Sequence, residues 1–221
     1  MSYAPPTVAG KQTAQQLAQL SRTLYERGWM PGTAGNLSMR APDDPRRALI
    51  TASGRDKGDL CIQDMVEIDA ETGEPSRAGQ ARASAETSIH AALYRTTDAK
   101  AVIHVHSPHA TVVAHRAGLD AATSVVHIER YELLKGLSLD DPATAQLPVF
   151  PNWARVDRIA EDIAAHVQAD PSCPPGLLIA DHGITAWGET LGQARNRLEC
   201  LEALCQLLVL SQTELNVTRV S

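Results

Sequence analysis

The chain has 221 residues, long enough for one large α/β domain that buries a full core without staples. A formal net charge of −6 with no Lys/Arg cluster excludes a general nucleic-acid binder, and no apolar run approaches membrane-spanning length. With 43% hydrophobic and 21% charged residues, four cysteines without CxxC spacing and no signal pattern, a soluble cytoplasmic protein with free thiols is expected.

Residues 1–8, with Pro5 and Pro6, read as a loose lead-in. Over residues 9–28, Leu17, Leu20, Leu24 and Tyr25 recur at helical spacing, and Gly28 ends the pattern. A Gly-rich turn at Gly32 and Gly35 runs into a strand ending near Arg40. Residues 41–47 read as a Pro/Asp turn, residues 48–51 as a second strand and residues 65–69 as a third. A helix is expected over 84–95, with Ser84 as its cap and Ile89, Ala92 and Leu93 inward. The strand at 101–106 is followed by a short helix (108–116), a strand (124–128) and a helical turn (130–137). A loop (140–146) then leads to a brief strand (147–150). An amphipathic helix (154–168), a Pro-rich break (171–175), two hairpin-paired strands (176–180 and 184–188) and a long helix (191–210) complete the chain. Helices alternate with strands, several of them joined by short turns, so the central sheet should be mixed rather than purely parallel. The pattern carries no internal repeat and no linker, and predicts a single domain.

Candidate chemistry centres on His104-Val105-His106. On a strand, residues i and i+2 share a face, so both imidazoles can reach one point. Two polar residues facing water at a strand end is the bland alternative. His182, just past the apolar strand 176–180 and followed by Gly183, can bring a third nitrogen to the same sheet edge. Three nitrogens with an open position mark a catalytic rather than a structural metal site. His90 and His166 lie within helices and read as surface or packing residues. His109, at a helix start, reads as facing solvent or as supporting a ligand from behind.

Gly35-Asn36 and Thr51-Ala52-Ser53-Gly54 place small residues, hydroxyls and an amide at two turns, with Lys57 close by. Such turns offer backbone N–H groups to an anion, although Ser-Gly turns are common without one. Two carboxylates complete the set. Glu86 sits at a helix start, where the dipole favours it for stability alone, and Glu132 lies in a helical turn, where an exposed surface role is the alternative.

Gly35-Asn36-Leu37-Ser38, Thr51-Ala52-Ser53-Gly54, Ser84-Ala85-Glu86-Thr87-Ser88-Ile89-His90, His104-Val105-His106-Ser107 and His182-Gly183 resemble, in this order, the class II aldolase/adducin superfamily. The resemblance runs from residue 12 to residue 210. Within the superfamily, Glu132-Leu133-Leu134-Lys135-Gly136 and Asp181-His182-Gly183-Ile184-Thr185-Ala186-Trp187-Gly188 look most like the branch that dehydrates methylthioribulose 1-phosphate in methionine salvage. The resemblance implies a three-layer αβα sandwich around a mixed, largely antiparallel sheet. It also implies a homotetramer with active sites at subunit interfaces and a small sugar-phosphate substrate. The metal ligands it implies are His104, His106 and His182 around one divalent ion, for which zinc is the best match; the phosphate contacts are Asn36, Ser53, Gly54 and Lys57. The dehydratases use a glutamate matching Glu132 as acid/base, and the aldolases of the superfamily one matching Glu86. Both occur here, so C–C cleavage by an aldolase stands as the alternative chemistry, and a non-catalytic adducin-like module as the alternative class. At Ala85 the aldolases often carry a second serine, which this chain lacks.

Overall fold

The computed structural model describes residues 8–118 and 121–220; the lead-in expected over residues 1–8 lies, apart from Val8, outside the described residues. In chain order the elements are α1 (Val8–Glu26), β1 (Asn36–Ala41), β2 (Asp44–Thr51), β3 (Met65–Asp69), α2 (Thr87–Thr96), β4 (Ala101–Val105), α3 (Pro108–Ala117) and β5 (Ser124–Glu129). They continue as a 3-10 turn (Glu132–Leu137), β6 (Thr144–Phe150), α4 (Val156–Ala169), β7 (Gly176–Ile179), β8 (Gly183–Gly188), α5 (Leu191–Leu210) and β9 (Val217–Arg219). The strands form one sheet in the order β3-β2-β1-β4-β8-β7-β6-β5-β9. Its only parallel pairing among the described residues is β6 with β7, which α4 connects; every other neighbouring pair is antiparallel. The sheet is therefore mixed and largely antiparallel, as the short connections predict.

Alternation along the strands splits the core in two. Leu37, Ile103, Val105 and Ile184 point to the face covered by α1, α3 and α5, where Leu17, Leu24, Val113, Leu198 and Leu201 pack. Val102, Ile50, Ile68 and Leu177 point to the face covered by α2 and α4, against Ile89, Leu93, Ile159 and Ile163. These layers make the three-layer sandwich. The helix ends follow local chemistry: Gly28, at φ +74°, closes α1 in the left-handed conformation, Pro108 opens α3, and the Thr190 hydroxyl accepts from the Gln193 N–H at 3.0 Å to cap α5. No helix among the described residues is long and apolar enough to cross a membrane.

Four boundaries depart from the sequence reading. The turn expected over 41–47 shrinks to two residues, because Asp44 to Arg47 already belong to β2; their exposure and their Asp44–Arg46 and Asp44–Arg47 ion pairs disguise them as loop. Pro45 is tolerated because β3 pairs with β2 only from Arg47 onward. The loop expected over 140–146 ends early, since Thr144 to Gln146 pair with β5, and β9 pairs with the other side of β5 without any warning in its three polar-flanked residues. In place of Ser84, Glu86 occupies the N-cap position of α2. Ser84 forms the preceding turn, accepting from the Thr87 hydroxyl at 2.6 Å through its carbonyl and from the Glu86 N–H at 3.3 Å through Oγ.

The junction between β4 and α3 is anchored by a residue from another helix. Ser107 sits at the N-cap of α3 but makes no cap bond to it. Instead Glu202 of α5, 4% exposed, accepts from the Ser107 hydroxyl (2.6 Å), the His109 N–H (3.1 Å) and the Ala110 N–H (2.9 Å), and its Oε1 lies 2.8 Å from His109 Nδ1. A carboxylate from α5 thus satisfies the donors that a helix start leaves open. His109 is neither a free surface group nor a ligand but part of this cap. Replacing the carboxylate by an amide (Glu202→Gln) removes the charge from four short contacts. It is expected to lower unfolding stability by about 2–3 kcal/mol in urea denaturation; an unchanged midpoint would show that the cap contributes nothing.

Candidate active site

Strand register assembles the first part of the site. Asn36 of β1 lies opposite His104 of β4, and His104 lies opposite Thr185 of β8, so the three form a row across the sheet on the face covered by α2. His106 follows immediately after β4, its backbone held by an N–H bond to the Trp29 carbonyl at 2.9 Å. His182 occupies the turn between β7 and β8, which Asp181 enters at φ +57°. The turn brings Gly183 so close to β4 that a Cβ there would lie 2.2 Å from the Val105 carbonyl oxygen. Glu86 reaches over the row from the start of α2.

These four side chains converge. The ring centroids of His104 and His106 are 5.1 Å apart, those of His104 and His182 4.8 Å, and those of His106 and His182 4.5 Å. Glu86 Oε1 lies 2.7 Å from His182 Nε2, and Glu86 Oε2 lies 3.5 Å from His104 Nε2. One donor atom from each of the four falls within 4.8 Å of those of the others. His104 Nε2 and His182 Nδ1 are buried without a hydrogen-bond partner. Orphaned buried nitrogens are costly in a folded protein, and a bound cation would satisfy them. Three imidazoles and one carboxylate fit zinc or a neighbouring first-row divalent ion. The Thr185 hydroxyl, 3.0 Å from His104 Nδ1, orients that ring and leaves Nε2 to face the cluster.

The electrostatics agree. Burial, together with the charge on its imidazole neighbours, pushes His106 down to about 4, and burial likewise holds His104 below the ordinary histidine range, which favours the neutral imidazoles that a metal ion would need. Burial alone would raise the Glu86 carboxyl. The charges of His104 and His182 and the hydrogen bonds from His182 and Asn36 outweigh it and hold Glu86 well below the usual carboxylate range.

Two residues expected at the phosphate are engaged elsewhere. Lys57 is 1% exposed, its ammonium donating to the carbonyls of Thr33 (2.8 Å) and Arg55 (2.9 Å). It ties the turn at 33–35 to the turn at 53–55 and does not present a cation to an incoming anion. Asn36 is buried, its amide held between Glu86 and His90. Ser53 and Gly54 do form an open turn: Gly54 has φ +69°, with nothing within 4 Å of where a Cβ would stand. Antiparallel contacts, Ala52 with Ala83 and the Ser53 N–H to the Arg82 carbonyl (2.9 Å), lay this turn beside the segment leading to Glu86.

Glu132 is not brought to the cluster within the chain. It lies on the 3-10 turn with its side chain 84% exposed, 2.8 Å from Lys135 Nζ. His90, read from the sequence as a surface or packing residue, is fully buried and bonded to Asn36 Oδ1 at 2.5 Å. Its signal was the spacing of Glu86 and His90, one turn apart on the same helix.

Residues 15–209 match the family described as Class II Aldolase and Adducin N-terminal domain. The chain is 52% identical, over 92% of its length, to a probable bifunctional methylthioribose-1-phosphate isomerase/methylthioribulose-1-phosphate dehydratase of Nocardia farcinica, but spans only 36% of that protein. It is 41% identical to the methylthioribulose-1-phosphate dehydratase of Sorangium cellulosum, covering 88% of this chain and 91% of that one. Among solved structures, YgbL of Escherichia coli superposes with a TM-score of 0.75 at 27% identity (96% of this chain, 95% of that one). L-fuculose-1-phosphate aldolase of Thermus thermophilus does so at 0.68 and 25% (93% and 96%). Matched over nearly all of its length, with the histidines and the glutamate of its motifs gathered at one end of the central strands β4 and β8, the chain belongs to the class II aldolase/adducin family.

Proposed function

We propose that this protein, acting as one class II aldolase-like domain, dehydrates 5-methylthioribulose 1-phosphate to 2,3-diketo-5-methylthiopentyl 1-phosphate, a carbon–oxygen lyase reaction of methionine salvage in the cytoplasm. The observation that carries this reading is the Glu86/His104/His106/His182 cluster in a chain that spans 91% of a relative named for that reaction. His104, His106 and His182 would hold one divalent ion, best matched by zinc, whose chemistry when bound is Lewis-acid polarisation of the substrate's carbonyl and adjacent hydroxyl oxygens.

The chain's own residues have to move two protons. Dehydration removes the C3 proton, expels the C4 hydroxyl as water and leaves an enol that tautomerises to the diketone, so a base and an acid are required. Glu86, ionised and aimed at the imidazoles, is placed to accept a proton or to complete the ligand set. Glu132 is the acid/base of this reading, and its exposure on the 3-10 turn suits delivery to the site of a neighbouring copy in a homotetramer. With the Ser53 N–H already bonded to the Arg82 carbonyl, the open turn offers the Ser53 hydroxyl and the Gly54 N–H for the phosphate.

One observation favours a second reading. Glu86 touches the cluster and Glu132 does not, which suits a sugar-phosphate aldolase that uses Glu86 alone. Incubation with methylthioribulose 1-phosphate and with aldol substrates separates the two: water loss without release of an aldehyde supports dehydration, and aldehyde release supports the aldolase.

Dialysis against a chelator is expected to abolish turnover and zinc to restore it, with one ion per chain by elemental analysis; full activity without metal would defeat the proposal. Glu132→Gln should cut kcat by about 10²- to 10⁴-fold with metal content unchanged. Co-assembled with an inactive His104→Ala chain, it should regain part of the activity, because sites shared between copies would then include some with both groups intact. Near-normal turnover of Glu132→Gln alone would remove Glu132 from the mechanism.

A further inference from the structure

Glu86, His90 and Tyr94 are spaced four residues apart on the face of α2 that meets β1, and Asn36 and Ser38 stand two apart on β1. The two rows interlock. Asn36 Nδ2 bonds Glu86 Oε2, Asn36 Oδ1 lies 2.5 Å from His90 Nε2, His90 Nδ1 lies 2.6 Å from Ser38 Oγ, and Ser38 Oγ lies 2.6 Å from the Tyr94 hydroxyl. Asn36, Ser38 and His90 are each at most 2% exposed and Tyr94 is 3%, so water does not compete for these bonds.

The donor direction of every link follows from one end. A carboxylate oxygen accepts, so Asn36 turns its NH₂ toward Glu86 and its carbonyl toward His90. That carbonyl also only accepts, so the His90 proton sits on Nε2. A neutral imidazole then has a bare Nδ1, which takes the Ser38 hydroxyl proton. Ser38 Oγ in turn accepts from the Tyr94 phenol. The reverse direction would press the Asn36 carbonyl against the Glu86 carboxylate, two acceptors in contact.

We propose that Tyr94, Ser38, His90 and Asn36 form a one-directional donor chain ending on Glu86, in which Ser38 and His90 are positioning residues that lock the Asn36 amide and hold the carboxylate toward His104 and His182. Burial pushes His90 down to about 3, which keeps it neutral, and burial pushes the Tyr94 phenol up, so it retains its proton. Arg40, next on the same strand face, lies with its guanidinium 4.6 Å over the Tyr94 ring and donates to the Tyr94 carbonyl at 2.7 Å, fixing the far end. The proposal rests on the proposed function for the importance of Glu86, but the bond directions do not.

The test is the tautomer of His90, read by two-bond ¹H–¹⁵N NMR correlations in ¹⁵N-histidine-labelled, metal-free protein. The expected state is protonated Nε2 with bare Nδ1; the opposite tautomer overturns the chain. Ser38→Ala removes the donor to Nδ1 but leaves the Asn36 carbonyl on Nε2, so the His90 proton should stay on Nε2 while the ring loses its anchor. The substitution should weaken zinc affinity, measured by competition with a chromogenic chelator, by about 10- to 100-fold. Tyr94→Phe leaves the Ser38 donation in place and should leave the tautomer as in the wild type. Wild-type zinc affinity in Ser38→Ala would overturn the positioning role. Protonated Nε2 in a protein that releases no water from methylthioribulose 1-phosphate upholds the chain and sinks the proposed reaction. The opposite tautomer in an active dehydratase does the reverse.

Discussion

Withdrawing a carboxylate from water costs several kcal/mol unless donors and positive charge surround it. Glu86 is 13% exposed, and what offsets its burial comes from three separate parts of the chain: His182 at 2.7 Å, His104 at 3.5 Å and the Asn36 amide. Each of these is in place because of the sheet order. If β1 did not flank β4 with Asn36 opposite His104, or if β8 did not flank β4 on the other side with Thr185 opposite the same histidine, the carboxylate would lose the partners that offset its burial. The unusual electrostatics of the site and the topology of the fold are thus one constraint seen at two scales.

The site is also held from both layers. On one face the α2 residues mesh with β1 and fix Glu86. On the other, Glu202 of α5 ties down the start of α3, directly after His106. Three of the four donors come from β4 and the chain flanking β4 and β8, and the fourth from the start of α2; the α3 and α5 layer supplies none of them and instead anchors the chain beyond His106.

Much of this was legible in the sequence because it depends on short periodicities. His104 and His106 two apart at the end of an apolar strand, and His182 with Gly183 after another, are enough to anticipate the imidazole cluster, and the ordered motifs point to the family. What escaped depends on contacts across the fold. His90 looks like any mid-helix histidine until β1 is laid against it. Glu202 is one acid among several on a long helix until α3 arrives. Lys57, a plausible anion contact in a Ser/Gly-rich stretch, turns inward, where the carbonyls of Thr33 and Arg55 accept from its ammonium. The early part of β2 and all of β9 were hidden for a different reason: exposed, polar edge segments lack the apolar alternation by which strands are recognised. Glu132 marks a further limit: its motif singles it out, yet the fold leaves it exposed on the 3-10 turn and outside the cluster.

Gly183 carries no functional group, yet it separates β8 from the β4 backbone by a margin no side chain can enter. Side chains that line a binding site can drift to suit a different ligand, since a neighbouring side chain can change to compensate. Position 183 has no such latitude, because what opposes it is main chain, which no compensating side-chain substitution can trim away. In a search for altered specificity by random mutagenesis, it would be among the least tolerant positions, an evolutionary fixed point set by steric exclusion and not by catalysis.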